Sequence, residues 1–286
     1  MNWTTLVSVD ELAASLDAPD LRLVDARFVL AGADPGAGAQ AWRQSHLPGA
    51  VHVDLDRDLS DHRKPASAGR HPLPDADDFR AVLERSGIAP TDQVVVYDAG
   101  DGAMAAARLW WLLRLFGHGR VAVLDGGFAA WQAAGLPVDA DRPKPARSRY
   151  PGRFDMAQVA DSDELAARLA DGAGLLIDAR AGERFRGEVE PLDRVAGHVP
   201  GARNRPYGDN LQGGRFKDPG QLRAEFEAIL AGHDPRQVLL ACGSGVTACH
   251  NLLAMEYAGL HGARIHAPSW SGWISDPTRP VAVGPE

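Results

Sequence analysis

The chain says the same thing twice, and that repetition limits its possible folds more than any other feature. "LRLVDAR" (21–27) recurs as "GLLIDAR" (174–180), and "SHLPGAVHV" (45–53) as "GHVPGARNR" (197–205). "QVVVYDAGDGAMAAARLWWLL" (93–113) answers "QVLLACGSGVTACHNLLAM" (237–255), and "LDGGFAAW" (124–131) answers "HAPSWSGW" (266–273). Chance can supply one such match, but four in one order with similar spacing mark a tandem duplication with a period of about 150 residues. Between the halves lies "DADRPKPARSRYPGR", rich in Pro and Arg and without apolar periodicity, which reads as a linker. The expected organisation is a domain over 1–140, a linker over 141–155 and a second domain over 156–286.

Within each half, short aliphatic runs alternate with segments of helical spacing. "LRLVDA", "AVHV", "QVVVYD" and "VAVLDG" read as buried strands. "DADDFRAVLERSG" and "AMAAARLWWLLRLFG" read as helices, as do "SDELAARLADG", "DPGQLRAEFEAILAG" and "VTACHNLLAMEYAGL" in the second half. Strand–helix alternation predicts an α/β fold in each half, a parallel sheet covered on both faces, with ligands at the C-terminal ends of the strands.

Several function classes are disfavoured by composition. A formal net charge of -8 argues against a nucleic-acid surface. The most apolar run is broken by Arg108 and Arg114 and is too short to span a bilayer, and no signal peptide is visible, so no membrane partner is expected. Two cysteines cannot make a disulfide framework at this length, which points to a reducing, cytoplasmic setting.

Both cysteines fall in "VLLACGSGVTACHNLL" (238–253). Their spacing is not the Cys-x-x-Cys of a dithiol oxidoreductase or a metal half-site. Cys242 stands where a buried strand ends, before a Gly243-Ser244-Gly245 turn and a helix start near Val246. A thiol placed there faces backbone N–H groups. A helix dipole gives only about 0.3–1 kcal/mol to an exposed anion, so a curled loop of N–H donors has to supply the remainder needed to hold a thiolate. Cys242 is therefore the candidate nucleophile. Cys249 sits at helical spacing with Leu253 and Tyr257 and reads as a core-facing bystander.

The loop "CGSGVTA", the "DAR", "GHVPGA" and Trp landmarks, and the duplication resemble the tandem-domain rhodanese family of sulfurtransferases across nearly the whole chain. The resemblance implies two rhodanese-like domains, each a parallel sheet of about five strands with helices on both faces, and only the second domain catalytic. Asp98 occupies the place in the first half that Cys242 holds in the second. The implied reaction is covalent and ping-pong: Cys242 takes a sulfur atom from a small-molecule donor, becomes a persulfide, and passes the outer sulfur to cyanide, a thiol or thioredoxin. No metal or organic cofactor is called for. Within the family, a Cys-Arg-Lys-Gly loop goes with thiosulfate and Cys-Gly-Ser-Gly with 3-mercaptopyruvate. The latter is the loop found here, so 3-mercaptopyruvate is the expected donor and thiosulfate the alternative.

Carried over residue by residue, the resemblance implies that Gly243, Gly245, Val246 and Thr247 line the donor loop and that Arg184 binds the donor. The family's second arginine lies further along the same loop. Arg194 is the nearest residue to it, and Arg186 is a further candidate. Ser244 is implied in a proton relay with His71 and Asp56 from the first domain, which would build the site across the domain boundary. His46 and His198, Asp25 and Asp178, Arg27 and Arg180, and Trp131 and Trp273 occur in both halves, one of which lacks the thiol, so they read as structural.

Two rival classes remain. Cell-cycle phosphatases of related fold need an arginine at the sixth position after the cysteine, where this chain has Ala248. A persulfide carrier that does not turn over is the non-enzymatic alternative, against which the intact loop and Arg184 speak.

Overall fold

The computed structural model describes residues 1–29, 36–172 and 174–285. It divides into two compact units: Met1–Asp61 with Pro74–Asp155, and His62–Leu73 with Met156–Glu286. The segment 141–155, expected as a linker, is counted with the first unit. The segment 62–73, which the duplication assigns to the first half, is counted with the second.

The first unit contains strands β1 (Leu6–Val7), β2 (Leu21–Asp25), β3 (Val51–His52), β4 (Gln93–Tyr97) and β5 (Val121–Leu124). Its helices are α1 (Val9–Ala13), α2 (Ala37–Gln44), α3 (Leu55–Asp58), α4 (Ala76–Arg85), α5 (Ala105–Leu115) and α6 (Gly127–Ala133). The second unit contains β6 (Val159–Ala160), β7 (Leu175–Asp178), β8 (Arg203–Asn204), an antiparallel pair β9 (Leu211–Gln212) and β10 (Arg215–Phe216), β11 (Val238–Ala241) and β12 (Arg264–His266). Its helices are α7 (Ser162–Ala170), α8 (Gly182–Phe185), α9 (Pro219–Leu230), α10 (Ala248–Tyr257) and α11 (Ser269–Trp273).

The five-stranded sheets run β1-β5-β4-β2-β3 and β6-β12-β11-β7-β8, with every pairing parallel. The two orders are one topology used twice. The middle strands β4 and β11 are buried at every residue, as expected of strands covered on both faces. Local signals agree with the elements: Asp75 precedes α4 with Asp77 and Asp78 in its first turn, Asp161 caps α7, and Asp218 caps α9 ahead of Pro219.

The duplication reaches individual bonds. Arg27 chelates Asp25 just as Arg180 chelates Asp178, and each guanidinium lies over a ring, Phe128 or Trp270, at 4.2 and 4.9 Å. The indole N–H groups of Trp131 and Trp273 donate to the carbonyls of Pro137 and Pro280. The amide N–H groups of His46 and His198 donate to Asp139 and Ala282. These repeated residues close the same corners in both units, one of which has no thiol.

Candidate active site

Cys242 follows β11 directly, and its side chain is buried. The chain then curls so that the N–H groups of Ser244 and Gly245 donate to its Sγ, at 3.4 and 3.2 Å. Gly245 makes that curl possible. Its φ is +76°, and a Cβ there would stand 2.5 Å from the carbonyl oxygen of Ala267, so only glycine fits. Two amide dipoles thus point at the sulfur ahead of α10, an arrangement that favours an anion at that atom. Val246 is buried in the same loop, and Thr247 stands at the entrance to α10.

The start of α11 holds this loop from behind. Ser269, at φ +53°, accepts the Cys242 N–H on its Oγ and donates to the His266 carbonyl. The N–H groups of Trp270 and Ser271 donate to the carbonyls of Cys242 and Gly243, both at 3.0 Å. Cys249, buried on α10, directs its thiol to the Gly245 carbonyl at 3.3 Å, which makes it a support of the loop.

The segment 62–73 packs on α11. Arg70 N–H donates to Ser271 Oγ at 2.9 Å. Gly69, at φ +89°, lies so close that a Cβ would meet the Pro268 carbonyl oxygen at 2.5 Å. This contact places His71 Nδ1 2.7 Å from Ser244 Oγ, with both residues buried. Cys242, Ser244 and His71 therefore meet within one compact unit. Asp56, expected as the third member of the relay, lies on α3 of the first unit, its N–H donating to Asp54.

Over the loop stand two guanidinium groups. A Cβ on Gly243 would lie 3.1 Å from Nη2 of Arg70 and 3.6 and 3.7 Å from Nη2 and Nη1 of Arg184. Arg184 Nη2 donates to Glu190 at 2.7 Å and to Asp193 at 3.3 Å, and Arg70 Nη1 pairs with the other oxygen of Asp193. Burial works against the charge of Glu190, yet Arg184 and the Leu192 N–H hold its carboxyl below the ordinary range. Burial pushes the Asp193 carboxyl up in spite of its two arginines.

Arg194 does not join this pair. Its guanidinium is engaged by the Ile274 carbonyl at the end of α11. Arg186 is occupied by exposed Glu188. The guanidinium beside Arg184 is that of Arg70, a residue absent from the sequence-based site. It is the chain neighbour of His71, and the two face Gly243 and Ser244 in register. Arg180 also has a second aspect. Burial opposes its charge, but Asp178, Glu190 and the Cys242 sulfur together keep its pKa above the ordinary value.

A buried thiol in a curled amide loop after the central strand of a parallel sheet, in one copy of a duplicated α/β unit, defines a protein of covalent thiol chemistry. The model of the rhodanese-like domain matches residues 8–134 and 161–276. A relative from Pseudomonas aeruginosa, provisionally named a 3-mercaptopyruvate sulfurtransferase, is 46% identical over 99% of this chain and all of its own length. A Mycobacterium tuberculosis relative, provisionally named thiosulfate sulfurtransferase SseB, is 41% identical over 98% of this chain and 97% of its own. The crystal structure of the 3-mercaptopyruvate enzyme SseA from Escherichia coli superposes with a TM-score of 0.82 at 32% identity, covering 94% of this chain and 99% of that one. The chain belongs to the rhodanese family, in its tandem-domain sulfurtransferase form.

Proposed function

We propose that this chain takes the sulfane-forming sulfur of 3-mercaptopyruvate onto Cys242 and passes it to a thiophilic acceptor. The Cys242 thiolate attacks the donor sulfur, the S–C3 bond breaks with its electron pair leaving on carbon, and a persulfide forms. The departing enolate takes up a proton and becomes pyruvate. In the second half-reaction cyanide, a thiol or thioredoxin attacks the outer sulfur and returns the thiolate. The observation that carries this reading is the pair of N–H donors on Sγ, which stabilise the thiolate before attack and as the leaving group afterwards. Ser244 and His71, joined at 2.7 Å, supply a buried route for the proton that the enolate needs. A free-thiol cycle of this kind requires a reducing compartment, for which we take the cytoplasm.

The charges near the loop favour a monoanionic donor. Arg70 and Arg184 face Glu190 and Asp193, two cations against two carboxylates, which leaves hydrogen-bonding edges but no surplus charge for a dianion such as thiosulfate. Thiosulfate is the second reading, favoured by the name of the Mycobacterium relative.

The test is incubation with 3-mercaptopyruvate and cyanide, which is expected to release pyruvate and thiocyanate over many turnovers. A specificity constant higher for thiosulfate would reverse the donor assignment, and a single loading without turnover would make the chain a carrier. Cys242→Ser is expected to abolish transfer. Cys249→Ser keeps a donor for the Gly245 carbonyl and is expected to retain turnover within about twofold, as for a conservative exchange of one neutral hydrogen bond. Loss of activity in the second variant would overturn the choice of nucleophile.

A further inference from the structure

We propose that Arg70 is the second donor-binding cation, and that it forms with Arg184 a two-guanidinium clamp on the carboxylate of the 2-oxo-acid donor. This inference rests on the donor reading above and adds to it a residue outside the loop of Arg184, Arg186 and Arg194, where both cations were expected.

Three observations carry it. First, the guanidiniums of Arg70 and Arg184 both overlie Gly243, the residue that follows the nucleophile, within 3.1 to 3.7 Å of the place a Cβ would occupy. Any side chain at position 243 would fill the space they face, so the loop is bare where the cations converge. Second, both are held there. Asp193 bridges them, one carboxylate oxygen to each, and Glu190 fixes Arg184 further. The Arg70 main chain is pinned to Ser271 and pressed against Pro268 through Gly69. Third, each retains a free edge. Arg70 commits Nη1 to Asp193 while Nη2 is the atom nearest Gly243, and Arg184 commits Nη2 to Glu190 and Asp193 while Nη1 also lies beside Gly243. Anchored cations with N–H groups still available, side by side, match the two oxygens of a carboxylate. Arg194, the expected partner, is turned to the Ile274 carbonyl and contributes no such edge.

The adjacency of Arg70 and His71 gives the clamp a mechanistic consequence. One short segment delivers a carboxylate ligand over Gly243 and a proton-relay residue onto Ser244. The donor's carboxylate and the proton needed by its carbon are therefore set by the same stretch of backbone.

The test compares two donors on wild type, Arg70→Ala and Arg70→Lys. One donor is 3-mercaptopyruvate; the other is 1-mercaptopropan-2-one, which keeps the thiol and ketone but has a methyl group in place of the carboxylate. Arg70→Ala is expected to raise KM for 3-mercaptopyruvate about tenfold to hundredfold, the loss of one charge-assisted hydrogen-bonded contact. Its kcat is expected to stay within about threefold, since uniform binding moves KM alone. Arg70→Lys, which keeps the charge and loses the fork, is expected to fall between. Kinetics with the carboxylate-free donor are expected to be the same in all three proteins. An unchanged KM for 3-mercaptopyruvate in Arg70→Ala overturns the clamp, and so does an equal loss with both donors, which marks a structural role. If Arg70→Ala does not fold, Arg70→Lys on the two donors decides by the same comparison. A wild-type protein that turns over no 3-mercaptopyruvate overturns the donor reading itself, and is thereby distinguished from failure of the clamp alone.

Discussion

At the scale of single residues, Arg184 does two tasks that its removal would expose together. It reaches the space over Gly243, and it neutralises Glu190 and Asp193, whose side chains are almost fully buried. Taking away the cation leaves two buried carboxylates beside a site that must accept an anion, a larger penalty than the loss of one hydrogen bond. Arg184→Ala is therefore expected to raise KM for 3-mercaptopyruvate by more than Arg70→Ala does, and to lower the unfolding midpoint by the equivalent of about 3 kcal/mol, the usual cost of breaking a buried pair. Steady-state kinetics and urea unfolding on the same preparation check both parts; an unchanged KM removes Arg184 from the pocket. The strand end and the glycine turn made the place of Cys242 legible, whereas the roles expected of Ser244 and Arg184 came only from the family resemblance. Arg70 was not legible, because its partners Asp193 and Gly243 lie far along the chain and no local pattern marks which surface arginine will be folded over a loop.

At the scale of elements, the segments with long periodic signatures were the readable ones. The helical spacing in "DADDFRAVLERSG" and "DPGQLRAEFEAILAG" corresponds to α4 and α9, and the aliphatic runs to β2, β4, β5, β7 and β11. Of the two-residue edge strands, β3 was read from "AVHV" but is half-buried where a buried strand was expected, and β1 and β6 were missed, since two residues establish no period by themselves. The attachment of 62–73 to the second unit was foreshadowed only by the implied pairing of His71 with Ser244, and the rest of it was not readable. That attachment depends on tertiary fit at Gly69, Gly272 and Ser271, where backbone approaches backbone: a Cβ on Gly272 would stand 2.9 Å from the Ser67 carbonyl oxygen. Composition holds no record of such closeness. Gly69→Ala tests the attachment. A Cβ at φ +89° and 2.5 Å from the Pro268 oxygen forces the segment away from α11, at a cost of about 1–3 kcal/mol for a non-glycine residue in that region. The expected outcome is a fall in kcat/KM of at least about tenfold, the rate equivalent of 1.4 kcal/mol, with the far-ultraviolet circular dichroism spectrum unchanged. Full activity in this variant would show that the segment is dispensable to the site.

At the scale of the whole molecule, the duplication kept a geometry and discarded a chemistry. After β4, as after β11, the chain curls and offers N–H groups to the side chain at its start: Gly102 and Gly100 donate to Asp98 Oδ1 at 2.9 and 3.3 Å. The following helix grips both loops alike, Phe128 and Ala129 donating to the carbonyls of Asp98 and Ala99 where Trp270 and Ser271 donate to those of Cys242 and Gly243. The first unit thus holds a carboxyl where the second holds a sulfur, in a cradle suited to an anion. Yet Asp98 is a poor anion there. Burial, and then the charge of Asp101, outweigh the amide donors and raise its pKa to about 6, and its Oδ2 has no hydrogen-bond partner. A carboxyl with a raised native pKa binds its proton more tightly folded than unfolded. The stability it contributes is present below the unfolded value near 3.9 and is lost as pH rises towards about 6. The difference of about 2 units corresponds to about 3 kcal/mol. Asp98→Asn removes the titration and keeps an acceptor for Gly102. Its stability relative to wild type is therefore expected to improve by about 3 kcal/mol between about pH 3.5 and pH 8, whatever the fixed cost of the amide itself. Guanidinium unfolding at the two pH values measures this directly; a stability difference independent of pH would show that folding leaves the Asp98 carboxyl unperturbed, and a change of opposite sign would show that the first cradle stabilises its anion.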